Sequence, residues 1–297
     1  MLFLFSLYFI AHLAVRFFSV KYGKESKGFF AVACYSIITS AIAVIFFLIA
    51  TGFSPLINSE TLVYAAIIAT VVVVSQYCSI IVYRHMNILD AGMIHSSLVL
   101  ILTFFVGAGL YNENISWIAI LRMFLAMLST VLLVWTKENA GKDTPKTRNT
   151  LKGYILCGVM IFVDLVFTIL VKGFAMLTTP HDESSCFMLV NVFTLIFSAV
   201  LCLVLKKGKP TDVFSELKSI GLKKYGYIAL ITIGSNVQSL STAWIHAMKN
   251  SVVIFAPLTA AIDVIVQVIV SKVVGKEKIP ILAVSLSLLS AALSFFG

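Results

Sequence analysis

Ten long runs of apolar residues, separated mostly by short polar or charged connections, constrain this chain more than any other feature. They cover residues 1–20, 29–50, 61–83, 91–110, 116–136, 153–172, 186–205, 225–246, 251–272 and 280–297. A helix rising 1.5 Å per residue needs ~20 apolar residues to cross the hydrocarbon of a bilayer. Each run therefore predicts a membrane-spanning helix, and the 297 residues leave little chain for a soluble domain. Composition agrees: 60% of residues are hydrophobic and 12% charged, about half the charge of a soluble domain. The expected fold is all-α and integral to the membrane, with ten transmembrane helices. The first run is long for a signal peptide and lacks a basic leader and a small-residue cleavage site, so it is read as the first span.

The formal charge of +9 would suggest a nucleic-acid partner in a soluble protein. Here the cations lie between the spans, where they report topology, and no nucleic acid is expected. The connections after spans one, three, five, seven and nine, taken with the span ends beside them, hold 18 Lys and Arg; the even-numbered ones, taken in the same way, hold two, Lys172 and Lys249. This bias puts the odd-numbered connections in the cytoplasm and both termini outside, in a multi-pass protein expected in a bacterial inner (plasma) membrane. Cys34, Cys78, Cys157, Cys186 and Cys202 fall in or beside apolar runs without a CxxC spacing or a neighbouring histidine, and read as packing residues. No metal site, prosthetic group or other cofactor is expected.

One long polar connection, residues 137–152, divides the spans five and five. The reading is a first repeat over 1–136, a linker over 137–152 and a second repeat over 153–297. Glu113-Asn114-Ile115 before the fifth span and Glu277-Lys278-Ile279 before the tenth are 164 residues apart, with Ala119 and Ala283 in register. An odd number of spans per half makes the two repeats inverted, the architecture of many secondary transporters, whose substrate site lies near the midplane. In the connection after span seven, Val213, Phe214, Leu217 and Ile220 form an apolar stripe that predicts a short helix lying on the membrane surface.

Several of these connections carry a resemblance to a known family. Gly275-Lys276-Glu277-Lys278-Ile279 before the last span, and Ala247-Met248-Lys249-Asn250-Ser251 leading into the ninth, are similar to connections in ten-helix, EamA-type members of the drug/metabolite transporter superfamily. In the first half, Tyr111-Asn112-Glu113-Asn114-Ile115 keeps the glutamate without the glycine, and Tyr83-Arg84-His85 leads into span four. The resemblance implies two repeated five-helix halves and cytoplasmic termini, opposite to the orientation given by the charge bias.

A charge within a span costs ~2.5–3.5 kcal/mol on insertion scales, so each one needs a reason. Asp164 in span six and Asp263 in span nine are mid-span and too short to reach an interface. A buried carboxyl can titrate near neutral pH, so each is a candidate for coupling to protons or for recognising a cationic group; hydrogen-bonded glue between helices is the structural alternative. Gln267 lies one turn beyond Asp263, either extending the polar stripe or satisfying the aspartate. Arg16 and Arg122 lie within about two turns of a span end, where a long stem can carry the guanidinium to the headgroups; a role lining the cavity is the alternative for each.

Span eight is unusually polar: Asn236 and Trp244 accompany Ser235, Gln238, Ser239, Thr242 and His246, which share one helical face. Span three has Gln76 and Tyr77 at the matching place in the first half. His95 in span four could relay protons or bind substrate. Tyr35 and Asn191 are further lining candidates. His85 and Asp90 satisfy an HxxxxD acyltransferase spacing, but across a turn between two spans. No HExxH, GxSxG or phosphate-binding loop occurs, so no enzyme is expected.

The expected function is secondary active transport of a small organic solute, an amine or amino acid favoured, by alternating access, with proton coupling open. The partners are that solute and the lipid bilayer, and a homodimer is compatible with the reading. A membrane scaffold or partner subunit without transport activity is the alternative.

Overall fold

The computed structural model describes residues 2–25, 28–111, 116–139, 150–177, 182–205, 215, 217–218, 220–249, 262–275 and 279–293. Among these residues the chain is helical and contains no strand. The helices are α1 (Leu2–Glu25), α2 (Gly28–Ala50), α3 (Ser59–His85), α4 (Ile88–Leu110), α5 (Trp117–Asn139), α6 (Leu151–Ala175), α7 (Glu183–Leu205), α8 (Leu222–Lys249), α9 (residues 262–270, continued by a π-helical turn over Ser271–Gly275) and α10 (Ile281–Ala292). Each apolar run thus contains a helix. Among the described residues, five helical segments are long and apolar enough to cross a membrane: Phe30–Ala50, Ser59–His85, Ile88–Leu110, Leu151–Ala175 and Glu183–Leu205.

Polar residues at the starts of the helices cap them. Asn58 accepts the Thr61 amide at 2.7 Å, Asp182 that of Ser185 at 2.7 Å, Ser116 that of Ala119 at 3.1 Å and Thr150 that of Gly153 at 3.3 Å. Each satisfies a donor otherwise orphaned in the first turn. Large apolar side chains stay outside the packing, among them Ile45 at 60% exposure, Phe105 at 58% and Val131 at 62%. In water such surface is a liability; against lipid it is the expected exterior. Of the stripe expected to form a surface helix, Val213 and Phe214 lie outside the described residues, while Leu217 is helical.

The chain divides into two compact units, each drawing on both halves of the sequence. The first comprises Met1–Ile80 and Val166–Trp244 and the second Ile81–Leu165 and Ile245–Gly297. In the first unit α2 and α7 pack antiparallel: Phe47 stacks on Phe187 with ring centroids 5.7 Å apart, and the Ser198 hydroxyl donates to Ser36 at 2.7 Å. Their shared core includes Ala65, Ile68, Ala69, Phe174, Met188 and Leu240.

In the second unit α5 and α10 pack antiparallel through a reciprocal pair of bonds. The Ser129 hydroxyl donates to the Ala283 carbonyl, and the Ser290 hydroxyl to the Arg122 carbonyl, each at 2.7 Å. Ser129 and Ser290 are 161 residues apart, as are Arg122 and Ala283, so the two bonds exchange under one offset. That register differs by three residues, close to one turn, from the 164 suggested by the connections.

Candidate functional site

Three helices of the second unit bring His95, Asp164 and Asp263 together. On α4, Gly92 and Ser96 share a face at i, i+4, with His95 beside them. On α9, Asp263 and Gln267 do the same. The pairs meet antiparallel, with Gly92 under Gln267 and Ser96 bonded to Asp263. Gly92 permits this approach: a Cβ there would lie 2.2 Å from Gln267 Cγ and 2.3 Å from its Cδ. On α6, Cys157 and Asp164 lie two turns apart on one face and run parallel to α4. The Cys157 thiol reaches the Ala91 carbonyl at 3.7 Å, and Asp164 meets His95. The start of α6 is tied to the end of α3 by the Thr150 amide donating to the His85 carbonyl at 3.0 Å, and Gly153 packs against the same carbonyl.

The result is an imidazole between two carboxylates. His95 Nε2 is 2.7 Å from Asp164 Oδ2, and His95 Nδ1 is 3.9 Å from Asp263 Oδ2. The Ser96 hydroxyl donates to the same Asp263 oxygen and also contacts the Gly92 carbonyl at 2.9 Å. Side-chain exposure falls from 35% at Asp164 to 8% at His95 and 10% at Asp263. His95 Nδ1 and both amide atoms of the fully buried Gln267 have no hydrogen-bond partner among the described residues. A buried polar group without a partner costs ~1–3 kcal/mol, so this site carries unspent hydrogen-bonding capacity. Gln267 is therefore not the satisfied partner of Asp263 that one sequence reading allowed.

Asp164, Asp263, His95 and Gln267 thus converge in one unit, and Ser96 and Gly92 join them. The remaining candidates belong to the first unit. Gln76 accepts the Ser36 hydroxyl at 2.5 Å, extending the Ser198–Ser36 bond between α2 and α7. Tyr77 is buried, and Tyr35 is buried against Tyr22 with ring centroids 5.0 Å apart. Asn191 donates to the Phe187 carbonyl of its own helix at 2.8 Å. Gln238 donates to the Tyr8 hydroxyl at 3.0 Å, and Asn236 is buried with Nδ2 unpaired among the described residues. The side chains of Trp244, Thr242 and His246 lie outside the described residues.

Arg122 departs from the expectation that its guanidinium reaches the headgroups. Arg16 Nε lies 3.5 Å from His12 Nε2. Arg122 is 2% exposed, and its Nε and Nη1 have no partner among the described residues. Proximity to a helix end does not free a side chain whose register turns it inward, and Arg122 lies at the α5–α10 contact. Asp90 accepts the Asn87 side-chain amide at 3.1 Å. Among the described residues no cluster of His, Cys, Asp and Glu is arranged to hold a metal ion.

No family model and no curated protein matches the chain. Among solved structures it is similar to one described only as "Crystal structure of protein", with a TM-score of 0.60 and 18% identity over 98% of each chain. At that identity the likeness is one of fold, extending over nearly the full length of both chains.

Proposed function

We propose that this chain is a ten-span secondary active transporter of the drug/metabolite transporter type, built from two inverted five-helix halves. It moves a small organic solute by alternating access, an amine or amino acid favoured. The observation that carries the reading is the Asp164–His95–Asp263 cluster, whose His95 and Asp263 are buried, with unpaired polar atoms on His95 and Gln267. Groups serving only as glue between helices satisfy one another, because an unpaired polar atom in hydrocarbon is expensive. Unspent capacity beside two carboxylates suits a ligand that donates hydrogen bonds, as an ammonium group does.

The packing directions support the inverted architecture. A two-fold axis in the membrane plane makes equivalent helices antiparallel. Three pairs at matched positions of the two halves pack in that way: α2 with α7, α4 with α9, and α5 with α10. The polar cluster is not duplicated, since Val99 stands 164 residues before Asp263. One half thus supplies both acids, Asp164 and Asp263, and the other supplies His95.

The scaffold alternative finds its support in the first unit, where Gln76, Ser36 and Ser198 satisfy one another. Counterflow separates the readings. Proteoliposomes loaded with unlabelled amines and amino acids should take up the labelled counterpart of at least one, and Asp263→Asn should abolish that uptake in a folded sample. A folded wild-type protein that exchanges no member of the panel would favour the scaffold.

A further inference from the structure

We propose that Asp164, His95 and Asp263 form a single-proton relay, with Asp164 as the donor on the exposed side and Asp263 as the buried terminal acceptor. This inference rests on the transport reading and names the coupling ion of the same site. Three features of the geometry support it. Side-chain exposure falls steeply from Asp164 to the two inner groups, so Asp164 is the outermost of the three and the one that a proton entering the cluster meets first. The imidazole uses different nitrogens toward the two acids, Nε2 toward Asp164 and Nδ1 toward Asp263, so it can accept on one side and donate on the other. The second gap, 3.9 Å, is too long for a hydrogen bond and within reach of a small ring movement. Nδ1 has no competing partner, and the Ser96 hydroxyl holds the receiving carboxylate in place.

The transfer balances without a further reactant. Protonated Asp164 gives its proton to Nε2 of a neutral His95 that carries hydrogen on Nδ1. The Nδ1 proton passes to Asp263 Oδ2. The products are an Asp164 carboxylate, a His95 neutral with hydrogen on Nε2, and a protonated Asp263. That state matches the short contact, since the Nε2–H then donates to the Asp164 carboxylate. One pass therefore carries one proton equivalent from Asp164 to Asp263. Among the described residues, the acidic groups within 4 Å of the ring are Asp164 from α6 and Asp263 from α9. Of the other titratable groups on the helices packed here, Cys157 of α6 is directed to the Ala91 carbonyl, Asp90 of α4 is bonded to Asn87, and Arg122 of α5 lies at the α10 contact.

Infrared spectroscopy of the purified full-length protein after a pH jump, with no solute added, reads the relay directly. The wild type should gain the carbonyl stretch of a protonated carboxyl as pH falls, and Asp263→Glu should shift that band in frequency. His95→Gln and Asp164→Asn should keep the band at equilibrium but slow its appearance by about tenfold or more, as loss of a positioned proton donor does. Asp164→Glu should restore most of the rate. Circular dichroism on every variant confirms the fold, and a purely structural role would leave the rate unmoved. Unchanged rates in both His95→Gln and Asp164→Asn, or a band indifferent to Asp263→Glu, would overturn the relay. Counterflow is scored separately: solute exchange without the infrared signature rejects the relay alone, whereas the signature without exchange of any solute rejects the transport reading.

Discussion

Placing a single methyl group at Gly92 probes the contact that aligns Asp263 with α4. In Gly92→Ala the new Cβ would lie 2.2 Å from Gln267 Cγ, 2.3 Å from Cδ and 2.8 Å from Oε1. Carbon atoms pack at about 3.5–4.0 Å, so the overlap exceeds 1 Å on the order of magnitude that moves a helix. Gln267 has no exposed surface into which to swing. The strain must push α9 away from α4 or force Gln267 from its rotamer, and overpacking of this kind costs about 1–3 kcal/mol. Reversible unfolding in mixed micelles of mild detergent and dodecyl sulfate, followed by circular dichroism, measures the loss. Gln267→Ala removes the atoms that clash, so adding Gly92→Ala to that variant should be nearly neutral. The resulting coupling between the two sites is then about 1–3 kcal/mol. An equal cost for Gly92→Ala in both backgrounds would refute the argument, because the strain would then arise elsewhere.

Three further perturbations test other parts of the structure. Ser129→Ala and Ser290→Ala each remove one of the reciprocal bonds between α5 and α10 and should cost similar amounts, about 0.6 kcal/mol as for other bonds between membrane helices; a large difference between them in the same unfolding assay would contradict the pairing. Arg122→Met removes a buried guanidinium with unpaired Nε and Nη1 while keeping the stem, so the thermal midpoint should rise, and a fall would show that the charge is compensated. The exposed contact between Lys223 and Glu25 at 3.1 Å should matter little. The hydrogen bond to Glu25, followed by that to Tyr227, holds the ammonium above its ordinary pKa, so its contribution is complete at neutral pH and fades only as pH rises through the alkaline range. Water and salt screen it, so Glu25→Gln should leave the thermal midpoint unchanged at neutral pH, and a drop of several degrees would refute this.

The helices were legible in the sequence because hydrocarbon demands long apolar runs, and Asp164, Asp263 and His95 stood out because such runs rarely tolerate them. Their convergence was not legible. It depends on the parallel register of α4 with α6 and the antiparallel register of α4 with α9, which no single-helix periodicity encodes. Ser96 and Gly92 escaped notice as site residues because serine and glycine are common in membrane helices; their i, i+4 spacing beside His95 was the available signal. Arg122 shows the limit of distance-to-end reasoning, since the direction a side chain faces decides its burial. The polar residues of spans three and eight looked like a matched pair, yet Gln76 bonds toward α2 and Gln238 toward α1. The division at residues 137–152 follows the chain, whereas each compact unit takes helices from both sides of it.

Electrical recording shows whether the Asp164–His95–Asp263 cluster moves solute. Proteoliposomes adsorbed on a solid-supported membrane are exposed to rapid steps of amino acids and primary amines, with wild type and Asp263→Asn prepared side by side. The wild type should give a solute-dependent transient current that disappears in Asp263→Asn while the fold is retained. A current of equal size in Asp263→Asn would contradict that role of the cluster.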